Sequence, residues 1–558
     1  MRRAPRVDIL TILILVCIAA FFRFHHLEEV PIGLWRDEAA NGLEALRILD
    51  GNIAIFYGTR EPMFIYLAAL SVALLGRTPL AIRVVAAIVG TATIPVTYLL
   101  VKELFRSTER RARAIACLTC LWLATSYWHI SFSRLGFRGI LLPLLSTLSF
   151  YLLWRGWNEL TRTRRTSASR PSQTLLCFAA SGLFLGLTMY TYTPARFLPI
   201  AVLPFLAHII SRNRKTGPHL RETLYSSESL VKAFSVFGLA LLLVVAPLGL
   251  HFLTNPGSFF ARAGVSVLGV SHDESLAVVL AKNALQQLGM FGFVADPNTR
   301  HDPAGRPAFD LPTLSFFIVG LMLSIYHSRE TPYLFALAWF SAMLLPAVLT
   351  FLELPHFLRA IGTLPVAYVF PALGIERVWQ WLREEEASFK LSSAFAGLLA
   401  LCFALMGFFT YRDYFSPKVE EIELVKAFDP RFVEVASIMN QLDEPDSVWI
   451  IPLGPRGEQR MAYFVIDFLY QGIAPHRYVH VDEATLAQEL LDCLQDSKRA
   501  MLLDVTRDYS QQPWYDLYVD SQGLIRSLLD EQHHHLDTIQ FDGLDVLVFQ
   551  LAEDTDSP

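Results

Sequence analysis

The chain has 558 residues, of which 53% are apolar and only 18% are Asp, Glu, Lys or Arg, against about 25% charged residues in an average soluble protein. Together with a mean hydropathy of +0.38, this excludes a disordered chain and argues against an ordinary water-soluble enzyme. The net charge of −5 hides an asymmetry: residues 413–558 hold 28 acids and 10 bases, whereas the first 412 hold 24 acids and 37 bases, so a basic, apolar part meets an acidic, soluble-looking part near Tyr411.

The first apolar run, Asp8–Phe24, follows Arg2, Arg3 and Arg6 and lacks a small-x-small cleavage motif, so it reads as an uncleaved spanning helix. Ten further runs near the length a bilayer requires follow at 80–104, 112–130, 138–155, 174–191, 195–211, 231–253, 312–327, 331–352, 360–381 and 392–411, eleven in all. Basic clusters follow the second span (Lys102, Arg106, Arg110, Arg111, Arg113), the fourth (Arg155, Arg162, Arg164, Arg165, Arg170) and the sixth (Arg212, Arg214, Lys215, Arg221). A cytoplasmic N-terminus puts all three inside, as the positive-inside rule requires. Met63–Gly76 is apolar but short, and counting it as a crossing would invert this pattern. It reads as a re-entrant or interfacial helix within the first external loop, residues 25–79. The other external segments are then 131–137, 254–311, 353–359 and the tail from Arg412.

Within the first loop, Trp35-Arg36-Asp37-Glu38 precedes an amphipathic helix over Ala39–Asp50, with Leu43, Leu46 and Leu49 on one side. Acids at a helix N-terminus favour the dipole and can cap it; beside a membrane they can equally be catalytic. Tyr57-Gly58-Thr59-Arg60-Glu61-Pro62 leads into the short apolar helix, and Arg60 suits either a lipid phosphate or a snorkelling role. Pro355-His356-Phe357-Leu358-Arg359 opens the tenth span and admits the same two readings. Asp296–Pro307 is dense in polar and turn residues, Arg300 and His301 among them, and resembles a binding loop. The 254–311 loop also has apolar stretches at Ala277–Leu285 and Leu288–Phe293, which predict partial helix.

Cys117 and Cys120 have C-x-x-C spacing without a second pair, and all six cysteines read as small apolar residues or isolated thiols. In the tail, strands are predicted at Ser447–Leu453, Arg477–Val481, Ala500–Val505 and Val546–Leu551. Helices are predicted at Arg431–Leu442, Gln459–Leu469, Thr485–Leu494 and Gly523–Leu529. Such alternation predicts a small α/β domain over 412–558. No Gly-rich phosphate loop follows a strand, and His533, His534 and His535 read as a solvated loop.

Residues 1–411 resemble the polyprenyl-phosphate-dependent glycosyltransferases of the GT-C fold, in the branch of protein O-mannosyltransferases and lipid A aminoarabinose transferases. The resemblance lies in Asp37-Glu38 after span one, in Arg60-Glu61-Pro62 opening a juxtamembrane helix, in its Leu-Leu-Gly ending with Pro79-Leu80-Ala81-Ile82-Arg83, and in Arg359 with Leu364-Pro365. It implies a polytopic α-helical membrane protein that moves a sugar from a polyprenyl-phosphate donor to a hydroxyl of a lipid, glycan or protein, with inversion, at the plasma membrane. Carried over, Asp37 is the base and Glu38 an orienting acid. Arg60, Arg359 and Arg138 meet the donor phosphate, and Trp35, Tyr57, Glu61, Arg300, His301 and His356 line the substrate site. The expected partners are the donor, the acceptor and the bilayer, not nucleic acid.

Two departures stand out. Many relatives carry an acid after Ser-Arg in the turn between spans three and four, where this chain has Ser133-Arg134-Leu135-Gly136-Phe137-Arg138-Gly139. A divalent metal held by two acidic loops therefore lacks its second acid. The basic residue often found before the loop-one proline is Glu61 here. A glycan ligase or polymerase using a lipid carrier is the alternative activity. A transporter would place ionisable residues mid-membrane or show internal repeats, and neither is seen.

Overall fold

In a computed structural model, residues 3–166, 171–215, 227–260, 274–350, 353–384, 389–416, 427–428, 430–453, 463–480, 486–494, 497–504, 523–541 and 544–551 are described. They fall into two compact units, one of residues 1–33 and 41–428, the other of 34–40 and 429–558.

The first unit is helical. Helices α1 (Arg3–Phe24), α2 (Arg36–Leu49), α3 (Met63–Leu75), α4 (Pro79–Leu104), α5 (Glu109–Thr125), α6 (Tyr127–Ser133), α7 (Leu141–Thr166), α8 (Pro171–Thr188) and α9 (Leu198–Lys215) come first. They are followed by α10 (Ser227–Thr254), α11 (Leu276–Gly289), α12 (Leu311–Tyr326), α13 (Thr331–Val348), α14 (Val369–Glu384) and α15 (Phe389–Phe415). A helix stands at each of the eleven expected spans. Among the described residues, eight helices are long and apolar enough to cross a membrane, and the α5–α6 pair makes a ninth. Helices Met63–Leu75, Ser172–Thr188 and Leu311–Tyr326 are apolar but shorter. The α11 helix fills the first of the two apolar stretches expected to be helical in the 254–311 loop, of which 261–273 lie outside the described residues. So do the side chains at 162–170 and 212–221, which carry most of two basic clusters.

The third expected span, 112–130, differs from a straight helix: it bends by 58° between α5 and α6. Ser126 makes the break, its hydroxyl capping α6 through the His129 amide at 3.1 Å. A broken helix leaves carbonyls that lipid cannot satisfy. Arg23, fully buried at the end of α1, takes two of them: its guanidinium donates to the carbonyls of Ala124 (3.0 Å) and Leu123 (3.3 Å), and also to that of Ala19 in its own helix (3.0 Å). Arg134 does the same for the chain leaving α1, donating to the carbonyls of Phe22, Arg23, His26 and Val30. Arg83 binds those of Pro31 and Gly33. These arginines stitch irregular backbone to the bundle.

Helix packing relies on glycine. A Cβ at Gly320 of α12 would come within 1.7 Å of the Phe370 carbonyl oxygen on α14, and one at Gly374 within 2.3 Å of the Phe316 carbonyl oxygen, so the two backbones touch at a paired-glycine crossing.

The second unit holds a five-stranded sheet: β1 (Ser447–Leu453), β2 (His476–His480), β3 (Arg499–Asp504), β4 (His534–Phe541) and β5 (Leu544–Gln550), in the order β2-β1-β3-β5-β4. The β2-β1-β3 pairs are parallel, with Trp449 opposite His476 and Ile450 opposite Leu502, and β5 and β4 run antiparallel. Side chains alternate between two cores. Trp449, Ile451, Met501, Leu503, Val546 and Val548 pack with helix α16 (Pro430–Gln441) and α17 (Phe464–Leu469). Val448, Ile450, Ala500, Leu502, Leu547 and Phe549 pack with α18 (Leu486–Leu494) and α19 (Leu524–Gln532). Covered on both faces, the central strands read as continuous apolar runs. Residues 459–462, 481, 485 and 505, which the expected elements included, lie outside the described residues. Of the expected loop at His533–His535, His534 and His535 instead open the edge strand β4, whose mostly exposed residues give no apolar alternation.

Candidate active site

The two acids of the first loop have different surroundings. Helix α2 begins at Arg36, so Trp35 is the N-cap, Asp37 the second helical residue and Glu38 the third. Glu38 is fully buried, and its Oε2 accepts the backbone N–H of Trp35 at 3.1 Å. This is the reciprocal half of a capping box. Glu38 thus holds a capping contact, and Asp37 beside it is half-buried. The buried side of α2 is also not the leucine stripe. Ala39, Ala40, Asn41, Gly42 and Ala45 are buried, Leu43 and Leu46 are half-buried, and Leu49 is 48% exposed. Small residues allow close approach, and the Asn41 amide donates to the Gly136 carbonyl at 2.9 Å.

Tyr57 and Arg60 pair across a tight turn whose Gly58 has φ +60°, a conformation that favours glycine. The Tyr57 hydroxyl donates to the Asn52 carbonyl at 3.2 Å, and Arg60 is half-exposed. The next residue, Glu61, is buried. Its Oε2 accepts from Arg138 Nε at 2.8 Å and its Oε1 from the Thr193 hydroxyl at 2.7 Å. The Arg138 guanidinium lies over the rings of Phe137 (4.9 Å) and Tyr192 (5.6 Å). The structure therefore joins two residues that the sequence reading assigned separately to substrate and phosphate: Arg138 has its charge answered by Glu61. Gly139 next door lies against Leu358, where a Cβ would come 2.9 Å from the leucine Cδ1, so this turn abuts the segment that carries His356 and Arg359.

That segment is held to the Asp296–Pro307 loop. Asp296 Oδ2 accepts the Phe357 amide at 2.6 Å and lies 3.1 Å from His301 Nδ1, while its Oδ1 accepts the Asn298 amide at 2.8 Å. The rings of His301 and His356 face each other with centroids 4.9 Å apart. The Gln287 side chain accepts the His356 amide at 2.9 Å. Burial pushes the His356 imidazole well down from its ordinary pKa, with His301, Arg359 and Arg300 adding to the shift. Arg359 is half-exposed and donates to the Thr350 hydroxyl. Arg300, also half-exposed, donates through Nε to the Asn298 side chain at 3.0 Å. So Arg300, His301, His356 and Arg359, two pairs 55 residues or more apart in sequence, converge on one place.

Sequence reasoning missed Asp296, Gln287 and Asp302. Asp302 is buried, and neither carboxylate oxygen makes a hydrogen bond of good geometry. Burial raises its pKa to about 7, a rise the Asp296 charge adds to and Arg306 opposes. A signal existed, since Asp296, His301 and Asp302 are three of the ionisable residues in the one loop picked out as polar. The side chains that could hold a metal among the described residues are Asp296, His301 and His356, whose candidate ligand atoms all lie within 4.8 Å of one another.

Residues 59–237 match the family model described as dolichyl-phosphate-mannose-protein mannosyltransferase. Among solved structures, the chain is similar to ArnT from Cupriavidus metallidurans bound to undecaprenyl phosphate, with 12% identity, a TM-score of 0.53 and 97% of each chain covered. It is also similar to the archaeal oligosaccharyltransferase AglB from Archaeoglobus fulgidus in complex with an inhibitory peptide and a dolichol-phosphate. There the identity is 14% and the TM-score 0.53, over 99% of this chain and 75% of that one. Comparison with curated proteins gives no significant match. Identities this low establish the fold, which is GT-C.

Proposed function

We propose that this chain, a membrane glycosyltransferase of the GT-C fold, transfers a sugar from a polyprenyl-phosphate donor to an acceptor hydroxyl with inversion, using Asp37 as general base. The observation that carries the assignment is the division of labour between neighbouring acids: Glu38 is spent on the helix cap and Asp37 remains half-exposed. The family-model match and the GT-C fold supply the reaction class. The ArnT and AglB structures contain undecaprenyl phosphate and dolichol-phosphate respectively, which supports a polyprenyl-phosphate carrier here.

The step balances as an in-line displacement. The acceptor hydroxyl passes its proton to the Asp37 carboxylate as its oxygen bonds to the anomeric carbon. The bond from that carbon to the phosphate oxygen breaks on the opposite side, and its electron pair leaves with the polyprenyl phosphate. The leaving group changes from a phosphodiester to a monoester and gains negative charge. Arginines can meet that charge with a bidentate fork. Arg359, Arg60 and Arg300 are the half-exposed candidates. The basic loops between spans support a cytoplasmic N-terminus and an extracytoplasmic tail. A reporter active only outside the cytoplasm, fused after Pro558, is expected to be active.

Purified protein incubated with a panel of radiolabelled polyprenyl-phosphate sugars should consume one of them. Asp37→Asn should lower turnover by at least ~10²-fold, the usual contribution of a general base. Donor binding should be largely kept, and the loss of a charge near the helix N-terminus should cost about 0.3–1 kcal/mol of stability. Wild-type turnover in Asp37→Asn removes Asp37 from the chemistry.

A further inference from the structure

The cluster joining the Asp296–Pro307 loop to the segment before α14 is more than hydrogen bonding explains. Asp296 and His301 account for each other, but the His356 ring lies against His301, tilted by 35° with centroids 4.9 Å apart, and all three side chains are at least nine-tenths buried. Asp302, next in sequence to His301, is 98% buried, and among the described residues neither carboxylate oxygen makes a hydrogen bond of good geometry. Buried acids and imidazoles gathered in one loop cluster are costly to desolvate, and a cation held by them offsets that cost.

We propose that Asp296, His301 and His356 bind one divalent first-row metal ion, of the zinc type, with Asp302 as its second negative charge. Two imidazole nitrogens and a carboxylate oxygen are a borderline donor set that suits such an ion better than Mg²⁺ or Ca²⁺, which take oxygen ligands. Zinc–ligand bonds of about 2.0–2.2 Å put the ligand atoms of a closed tetrahedral site roughly 3.4 Å apart. The 4.8 Å limit here is wider, and side-chain rotation on loop backbone closes the difference. The Asp296 and Asp302 carboxylates together carry the two negative charges that offset a divalent ion.

The ion bolts residues 296–302 to residues 356–357, which already share the hydrogen bond from the Phe357 amide to Asp296. Arg359 lies three residues beyond His356, its amide 3.4 Å from the His356 ring nitrogen. The ion therefore positions Arg359 without touching the reacting atoms. The metal site does not rest on the proposed reaction, and binding is read without activity.

The test uses the full-length protein purified in detergent. Metal analysis of untreated protein should find about one zinc per chain. Protein stripped with a chelator should take up Co²⁺ and show the visible absorption of a nitrogen- and oxygen-ligated tetrahedral ion, and Zn²⁺ should displace it. Zinc should raise the Tm of the stripped protein, as any ligand of the native state does. His301→Ala and His356→Ala should each weaken metal binding by more than about 100-fold, and Asp302→Asn by about 10–100-fold, as expected for a supporting group. Only trace metal in the wild-type chain, with no Co²⁺ spectrum and no zinc-dependent Tm, overturns the proposal, and that result stands even if the alanine variants fail to fold. Equal metal binding by wild type and by a folded His356→Ala variant also overturns it.

Discussion

Glu61→Gln is expected to destabilise the protein while leaving it able to bind donor. In the folded chain the Arg138 and Glu61 side chains are 2% and 1% exposed, and their contact is 2.8 Å. Removing one charge leaves a buried guanidinium whose Nη2 already lacks a hydrogen-bond partner. Breaking a buried ion pair from one side typically costs about 3–5 kcal/mol. The amide oxygen of Gln can still accept from Arg138 Nε while its NH2 donates to the Thr193 hydroxyl oxygen, where Glu61 accepted from both, so the low end of that range applies. Arg138→Gln alone should cost a similar amount, because Glu61 is then the uncompensated charge. The double variant, with two neutral amides, should recover much of the loss, giving a coupling energy of about 1–3 kcal/mol. Thermal unfolding of the full-length protein in detergent, run on all four proteins with donor affinity measured beside it, reads both quantities. The reasoning fails if Glu61→Gln unfolds within about one degree of wild type, since a 1 kcal/mol change moves Tm by roughly 2 °C or more in medium-sized domains. If Arg138→Gln loses donor affinity at unchanged Tm, Arg138 is a phosphate ligand and not a strut.

Glu38→Gln should retain the capping box, because Gln serves at that position, and so should keep turnover within a few-fold of wild type; a dead, folded Glu38→Gln enzyme would make Glu38 the base. Gly320→Ala should force α12 and α14 apart and cost about 1–3 kcal/mol or more, whereas Gly238→Ala, where a Cβ meets nothing within 4 Å, should be neutral; equal Tm values for the two variants contradict the backbone contact. In the tail, burial alone would raise the Asp443 pKa, but the Ile473 and Ala474 amides and the Tyr470 hydroxyl outweigh it and hold it below the usual range. A depressed folded value gives stability that is full above the ordinary carboxylate pKa of about 3.9 and is lost as pH falls through the lower folded value. Hydrogen exchange of strand 447–453, corrected for intrinsic rates, should show Asp443→Asn weaker than wild type at pH 7 and the gap closing below about pH 4; a gap independent of pH would refute this.

The spans were legible because a bilayer imposes a length and a hydropathy that side chains cannot hide. The strands of the tail were legible for a related reason, with Val448–Ile451 and Met501–Leu503 buried on both faces of the sheet. What stayed illegible was pairing at long sequence distance. Arg23 looked like a charge at a span end, yet it satisfies carbonyls about 100 residues away at the α5–α6 break. Ser126 is an ordinary residue in an apolar run and gave no warning of a 58° bend. Strand β4 escaped because an exposed edge strand needs no apolar alternation. In the candidate site, the chemical types were readable and the roles were not: nothing in Trp35-Arg36-Asp37-Glu38 tells which acid closes the cap until the helix start is known.

The two departures from the family pattern are two halves of one contact. The resemblance implies a basic residue before the loop-one proline and an acid in the turn after span three. This chain has Glu61 at the first place and Arg138 or Gly139 at the second, and Glu61 and Arg138 pair at 2.8 Å. Read singly, each looks like the loss of a functional group; read together, they are an ion pair with its polarity exchanged. The exchange has two consequences. Residue 61 offers a donor phosphate no positive charge, which leaves the half-exposed Arg60, Arg300 and Arg359 as the proposed phosphate contacts. The turn also carries Arg138 and no acid, so an ion bridging those two loops meets repulsion. Among the described residues, the acid and imidazoles with ligand spacing lie instead at Asp296, His301 and His356, beside Arg300 and Arg359. Among the described residues, the proposed metal ligands and two of the three candidate phosphate arginines thus share the 296–302 loop and the 356–359 segment, while the Glu61–Arg138 contact is buried as a support for the turn that abuts them.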